Sequence, residues 1–440
     1  MTYQFDVLVV GAGPAGLAAV TSAAHKLRRV AVLDDNQQPG GQIWRSSIHD
    51  AERQRRGSKA RALLAFQQSG AELFRGRQVV DVPRPGVIQA WVDATQTSET
   101  FKYDKLILAT GARERFLPFS GWTLPGVFGA GGLQALVRGG YEIRGKRVVV
   151  AGTGPLLLAV AAHLKEDAAK IITIAEQAPM ARLAAFTGSL VRFPGKLGQA
   201  IQFKAALLGI PYRTGCWVIA AHGDDHVTGV QLTDGTRTWT EDCDLLACGF
   251  HLVGNTELAS LIGCSIGENG VVVDTNQQTS VPGVYCAGEP TGIAGVDSAM
   301  LQGQIAGLAA SGDLREAKLL YRRRSAEAAI GRAMDRAFAL RPELLSLARP
   351  DTIICRCEDV RLQDLQVQIN EQGEWTDAKL QTRCGMGPCQ GRICGPAVKE
   401  LFHWQNTSVR PPIFPVPLAA FCSQASPTDH ALSTTQVPSS

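Results

Sequence analysis

Phe5-Asp6-Val7-Leu8-Val9-Val10-Gly11-Ala12-Gly13-Pro14-Ala15-Gly16 decides the fold: an apolar run breaks into a G-x-G-x-x-G turn that opens a helix. In that context each glycine has its own physical task. Gly11 permits the tight turn, Gly13 lets the backbone approach a pyrophosphate, and Gly16 lets helix and strand pack closely. The helix turns its positive end toward the phosphates. A second strand, Arg29-Val30-Ala31-Val32-Leu33, ends in Asp34, where a carboxylate accepts the hydroxyls of an adenosine ribose. Strand, turn, helix, strand and spaced acid predict a Rossmann-type α/β unit for a dinucleotide.

Around this unit, 440 residues leave room for two or three domains. With 45% hydrophobic and 19% charged residues, most of the chain is expected to be globular. A net charge of +4 is slight for this size and no long basic block occurs, which excludes a nucleic-acid footprint. The densest basic stretch, Arg45 to Arg61, is broken by Asp50, Glu52 and Gln54 and reads as a solvated helical face. No stretch reaches the roughly 18 uninterrupted apolar residues that a membrane helix needs. The N-terminus enters a strand at once, without a charged leader. A cytoplasmic protein with no membrane span is expected.

The Rossmann pattern recurs. Lys146-Arg147-Val148-Val149-Val150-Ala151 runs into Gly152-Thr153-Gly154-Pro155-Leu156-Leu157, and a further strand from Lys170 ends at Glu176. Gly152, Gly154 and Glu176 are thus candidate contacts for a second nucleotide. Leu157, however, stands in the place of the third glycine and pushes helix from strand. A carboxylate at Glu176 favours NAD over NADP, because it repels a 2′-phosphate.

Eleven cysteines are unevenly spread: none precedes Cys216, while five fall between Cys355 and Cys394. A tight cluster in an intracellular protein points to metal or redox chemistry rather than to disulfides. Ile353-Ile354-Cys355-Arg356-Cys357 supplies a C-x-C, and Cys384-Gly385-Met386-Gly387-Pro388-Cys389 a C-x-x-x-x-C. Four thiolates so spaced hold iron or zinc. Zinc ribbons use C-x-x-C knuckles, so the C-x-C counts against structural zinc. Cys243 and Cys248, read along one strand from Asp242 to Gly249, fall on opposite faces as small buried residues. Cys216, Cys264 and Cys286 read the same way, and His222 and His226 read as a hairpin tip.

Two further apolar strands carry a resemblance. Leu106-Ile107-Leu108 ends in Ala109-Thr110-Gly111-Ala112, and Val281-Pro282-Gly283-Val284-Tyr285-Cys286-Ala287 ends in Gly288-Glu289. With the first fingerprint, these segments resemble the two-dinucleotide-binding-domain flavoproteins, in which they close over FAD. The resemblance implies FAD contacts at Gly11, Gly13, Pro14, Ala15, Gly16, Asp34, Asp35, Gly41, Gln42, Ala109, Thr110, Gly111, Gly288 and Glu289. Glu289 stands where Asp is commoner and still supplies a carboxylate for the ribityl chain. Disulfide reductases of that group need a cysteine pair beside the flavin, and residues 1–215 contain no cysteine. Disulfide reduction is therefore excluded.

The C-terminal cysteines resemble the bacterioferritin-associated-ferredoxin-like 2Fe–2S domain. That resemblance implies ligands at Cys355, Cys357, Cys384 and Cys389, with Cys394 a packed bystander. The implied architecture is α/β: a Rossmann-type FAD domain (1–118 and 250–312) with an inserted second Rossmann-like domain (119–249). A helical connector (313–350), the 2Fe–2S domain (351–422) and a disordered tail (423–440) follow. Across nearly its whole length the sequence resembles the larger, alpha-type subunit of heteromeric FAD-dependent amine dehydrogenases, the D-hydroxyproline dehydrogenase, opine oxidase and dye-linked proline dehydrogenase group. In that family the amine is oxidised at a flavin in a smaller partner protein, so no catalytic residue is assigned to this chain. The implied partners are a glycine-oxidase-like flavoprotein β subunit, a small ferredoxin-like γ subunit, and an amino or imino acid substrate. A second nucleotide (NAD or ATP), or FMN at a subunit interface, is the cofactor left open. The competing reading is a stand-alone NAD(P)H-dependent flavin and iron–sulfur reductase.

Overall fold

The strand that opens the chain, β1 (Thr2–Val10), is apolar on both faces in its second half because it lies inside a sheet covered on both sides. The computed structural model describes residues 1–26, 29–45, 57–370, 373–404 and 409–422. After β1 come α1 (Pro14–Ala24), β2 (Val30–Asp34), α2 (Ser58–Gln68), β3 (Glu72–Arg75), β4 (Arg77–Arg84), β5 (Val87–Val92), β6 (Thr97–Leu108) and β7 (Ala112–Glu114). The first sheet has the order β3-β2-β1-β6-β5-β4. Strand β1 runs parallel to both neighbours, with Val9 opposite Val32 and Ile107. The β4–β5 pair is antiparallel, as is β5 with the first half of β6.

A second sheet follows, built from β8 (Val127–Gly129), α3 (Ala130–Arg138), β9 (Arg147–Thr153), α4 (Pro155–Glu166), β10 (Lys170–Glu176), α5 (Met180–Leu190), α6 (Pro194–Ala206) and β11 (Tyr212–Thr214). The meander β12 (Trp217–His222), β13 (Gly229–Thr233) and β14 (Thr238–Asp242) leads to β15 (Leu245–Phe250). The order β11-β10-β9-β15-β8 is parallel throughout. His222 ends β12 and starts the tight return to β13, the hairpin expected there. One expectation needs correcting. Cys243 and Cys248 do not share a strand: β14 ends at Asp242 and β15 begins at Leu245, so Cys243 sits in the turn, its N–H on the Thr228 carbonyl. Both are nonetheless fully buried.

The chain then returns through β16 (Leu252–Gly254), which pairs with β7, and α7 (Glu257–Ile262). It continues through β17 (Ile266–Gly267), β18 (Gly270–Val271), β19 (Val284–Cys286) and α8 (Val296–Ala310). Strand β19 joins the first sheet against the last three residues of β6, with Tyr285 opposite Ile107. Helix α8 lies close on α1, because Gly303 and Gly307 face the backbone of Ala15 and Ala19; a Cβ on Gly303 would come within 2.1 Å of the Ala15 carbonyl oxygen.

Helix α9 (Leu314–Ala337) is expected from sequence to run to about Leu347 but stops earlier. Arg341 precedes Pro342, whose ring disfavours helical backbone before it, and Pro342–Ser346 forms a separate short turn of helix. The last segment holds β20 (Ile353–Cys355), β21 (Val360–Arg361), α10 (Gln366–Asn370), α11 (Trp375–Thr382), α12 (Cys394–Phe402) and α13 (Ala419–Cys422). Its core gathers Ile354, Val360, Leu365, Trp375, Ala378 and Val398. Among the described residues, no helix is long and apolar enough to cross a membrane. Most of the Arg45–Arg61 stretch and the 423–440 tail lie outside the described residues.

Candidate functional site

In a parallel α/β sheet, ligands bind beyond the carboxyl ends of the strands. Strands β1, β2, β6 and β19 all end at one edge of the first sheet, and every flavin motif begins there: Gly11 after Val10, Asp34 at the end of β2, Ala109 after Leu108, and Gly288 two residues after Cys286. Gly11 adopts φ 104° and Gly288 φ 84°, conformations that favour glycine. A Cβ on Gly16 would collide with the Gly11 carbonyl oxygen, whereas a Cβ on Gly13 would meet only the Cα of Gly41, 3.9 Å away. Gly16 therefore serves packing, while Gly13 and Gly41 form the facing walls of an open cradle. Pro14 sets the first turn of α1, and Ala15 is buried beneath it.

Asp34 is buried, and one of its oxygens accepts the Ala12 N–H while the other accepts the N–H and side-chain amide of Asn36. Asp35 and Gln42 are exposed at the rim, Gln42 accepting from Arg45. Glu289 accepts the Gly295 N–H through Oε1 at 3.1 Å, while its buried Oε2 has no partner. Burial pushes its carboxyl up to about 7. A buried orphan oxygen at the sheet edge fits the hydroxyls of a ribityl chain. The A-T-G turn is clamped from the side: the Thr110 hydroxyl donates to the Asn255 carbonyl at 2.6 Å, and the Asn255 amide donates back to the Thr110 carbonyl at 2.9 Å.

The second fold is put together differently. Gly152 still packs on the Gly249 backbone, but Leu157 is buried in the α4 core among Val148, Val160 and Ile174. Glu176 is 1% exposed. Its oxygens accept the Thr153 hydroxyl and the N–H groups of Gly154 and Ala178, and burial pushes its carboxyl up to about 7.

The cysteine segment is built by glycines. A Cβ on Gly387 would stand 2.4 Å from the Cβ of Cys357, so only glycine lets the two loops pass. The sulfurs of Cys355, Cys384 and Cys394 all lie within 4.8 Å of one another, and all three are buried. The Gly385 N–H points at the Cys355 sulfur from 3.4 Å. Cys357 and Cys389 form a second, outer pair, hydrogen-bonded to each other, Cys357 exposed and Cys389 half-buried. The structure thus brings together all four cysteines singled out by spacing and adds Cys394, which does not fit the bystander role expected for it. The thiols outside this segment are buried, and burial pushes Cys216 and Cys243 up to about 12, beyond the range of reactive thiolates. Asn255 and Arg113, which join this segment to the flavin edge, have no motif of their own; nearness of Arg113 to the A-T-G turn is the one sequence signal.

A sheet edge fit for a dinucleotide, repeated in a second fold and joined to a thiolate cluster, defines a redox flavoprotein. The chain belongs to the pyridine nucleotide-disulphide oxidoreductase family, matched over residues 5–303, and residues 353–404 match the BFD-like [2Fe-2S] binding domain. These two assign FAD and a 2Fe–2S cluster to the chain. It is homologous to the larger-chain family of opine oxidase: the A-type component from Agrobacterium tumefaciens (strain Ach5) is 30% identical over 92% of this chain and 87% of that one. The HcnB component of hydrogen cyanide synthase from Pseudomonas aeruginosa is 31% identical over 94% of this chain and 97% of its own. The L-proline dehydrogenase from P. horikoshii shares the fold, with a TM-score of 0.69, 19% identity, and coverage of 95% of this chain and 79% of that one. The T. acidophilum thioredoxin reductase superposes with a TM-score of 0.54 and 27% identity over 71% of this chain and 99% of its own.

Proposed function

We propose that this chain is the electron-handling subunit of a heteromeric amine dehydrogenase of the D-hydroxyproline, proline or opine type. A secondary amine is oxidised at the flavin of a smaller glycine-oxidase-like β subunit, and a small ferredoxin-like γ subunit is a further partner. Bound FAD supplies two-electron-to-one-electron conversion, and the residues of this chain hold it: Gly13 and Gly41 leave room for the pyrophosphate, Asp34 takes the adenosine ribose, and Glu289 takes the ribityl chain. One observation carries the reading: the cysteine loop is hydrogen-bonded onto the strand that follows the A-T-G turn, through Arg113 and the Arg392 carbonyl. A segment docked there is suited to draw electrons from the flavin.

Five thiols compete for the four positions of a 2Fe–2S centre. We assign Cys355, Cys357, Cys389 and Cys394, in place of the Cys384 that spacing favours. Cys394 is the first residue of α12, where the positive helix end favours a thiolate, whereas Cys384 follows the C-terminus of α11, where the negative end disfavours one.

The second reading, a stand-alone NAD(P)H-dependent reductase, draws on the Gly152–Glu176 fold. Leu157 and the inward-turned Glu176 weigh against it, and a second nucleotide or an interface FMN stays outside the assignment. The experiment adds NADH anaerobically to the pure chain, then a secondary amine together with the co-expressed β subunit. Flavin bleaching that depends on both the amine and the β partner is expected; bleaching by NADH alone would support the reductase instead.

A further inference from the structure

We propose that Arg113 is a positioning residue that fixes the cysteine loop against the flavin edge and sets the rate of electron passage between them. The inference rests on the assignment of FAD and a 2Fe–2S cluster to this chain. Arg113 lies in β7, two residues after Gly111. Its guanidinium is spread over three acceptors on three separate segments. Nε donates to the Arg392 carbonyl at 3.1 Å, one amino group donates to Asn255 Oδ1 at 2.7 Å, and the same group pairs with Glu257 at 2.8 Å. Asn255 in turn is locked to Thr110 by the reciprocal bonds described above, and its N–H donates to the Gly111 carbonyl at 2.9 Å.

The far end is equally fixed. Arg392 stands between Cys389 and Cys394. Its N–H bonds the Cys389 carbonyl at 3.0 Å, and its guanidinium bonds the Ile413 carbonyl at 2.6 Å while lying 4.0 Å over the Phe414 ring. From Gly111 to Cys394 the route is therefore covalent except for one hydrogen bond, the one Arg113 makes to the Arg392 carbonyl. Each transfer removes one electron from the reduced flavin and adds one to the oxidised cluster. The cationic side chains of Arg113 and Arg392 stand beside the loop that gains this negative charge, which favours the electron there. Other contacts dock the cysteine segment without touching the flavin edge: Trp122 Nε1 donates to the Ile353 carbonyl at 2.7 Å, and Arg115 pairs with Glu400 of α12. They separate docking from positioning.

The test uses the full chain with FAD and iron–sulfur content measured first. One electron equivalent of dithionite is mixed in anaerobically, and the flavin band and the cluster's paramagnetic signal are followed by rapid freezing. Arg113→Met is expected to keep both cofactors yet slow flavin-to-cluster equilibration about tenfold, the effect of roughly one lost charge-assisted hydrogen bond in a rate. Arg113→Lys, which keeps the charge but cannot span three acceptors, is expected to slow it less and to retain the wild-type share of electrons on the cluster. Trp122→Phe should equilibrate within about twofold of wild type. Wild-type rates in Arg113→Met, or equal slowing in Trp122→Phe, overturn the proposal. If Arg113→Met loses a cofactor, Arg113→Lys decides: unchanged kinetics with full content also overturn it. Absence of FAD or labile sulfide from the wild-type chain would instead overturn the cofactor assignment.

Discussion

A Cβ on Gly16 would stand 1.7 Å from the carbonyl oxygen of Gly11, so the phosphate turn and the first turn of α1 are in direct backbone contact. Gly16→Ala must force them apart. Overpacking of this kind costs about 3 kcal/mol or more, and urea unfolding should show it together with loss of flavin from the purified protein. Gly198→Ala is the control: an added carbon meets nothing there, and α6 should gain up to about 1 kcal/mol. A Gly16→Ala protein with wild-type midpoint and full flavin would contradict the contact.

Asp34 carries both a structural and a ligand role. Asp34→Ala removes an acceptor for Ala12 and Asn36 and the carboxylate assigned to the adenosine ribose. Hydrogen bonds to a charged group contribute about 1.5–3 kcal/mol. FAD affinity, measured by fluorescence titration of the apoprotein, should fall at least about tenfold. Unchanged affinity would remove Asp34 from the site.

The two buried glutamates give the apoprotein a pH signature. Folded Glu289 and Glu176 hold their protons up to about 7, against an ordinary value of 4.5 when unfolded. The folded state thus binds more protons across that interval, and the stability they contribute is full below about 4.5 and lost as pH rises through about 7. The slope is at most about 1.4 kcal/mol per pH unit for each group. Glu289→Gln should flatten the fall in unfolding free energy between about pH 5 and 7. A slope identical to wild type would show that burial does not hold that proton.

Cysteine variants separate the two overlapping spacings. Cys357→Ser, Cys389→Ser and Cys394→Ser should lose iron and acid-labile sulfide, while Cys384→Ser should keep them, because four thiolates complete a 2Fe–2S centre. Iron retained in Cys394→Ser and lost in Cys384→Ser would return the fourth position to Cys384.

Much of this arrangement is legible in the sequence because its signals are local. A strand, a glycine turn and a spaced acid lie within one short segment, and the A-T-G and Gly288-Glu289 turns announce themselves where apolar strands end. What stays hidden depends on long-range packing. C-x-x-x-x-C occurs twice, from Cys384 to Cys389 and from Cys389 to Cys394, so spacing alone cannot rank them; the ends of α11 and α12 do. Cys243 looks like a strand residue because β15 takes its limits from pairing with β9, which no local pattern announces. Asn255 and Arg113 are single residues whose partners lie more than 100 positions away.

The stretch after α9 has a consequence for anyone who would move the iron–sulfur module to another flavoprotein. Leu344 is 1% exposed and sits in the same core as Val149, Ala151 and Trp217. Arg341 lies 4.2 Å over the Trp217 ring, and its N–H is held by Gln177, whose amide reaches back to the Ala339 carbonyl. This stretch is therefore a structural member of the second nucleotide fold and not a tether. A graft cut at the start of the cysteine segment would leave its anchor behind, and a truncation after Ala337 would strip a buried leucine from the remaining core. The transplantable unit is the cysteine segment together with the fold it is rooted in, which explains physically why a nucleotide fold with a spoiled third glycine is worth keeping.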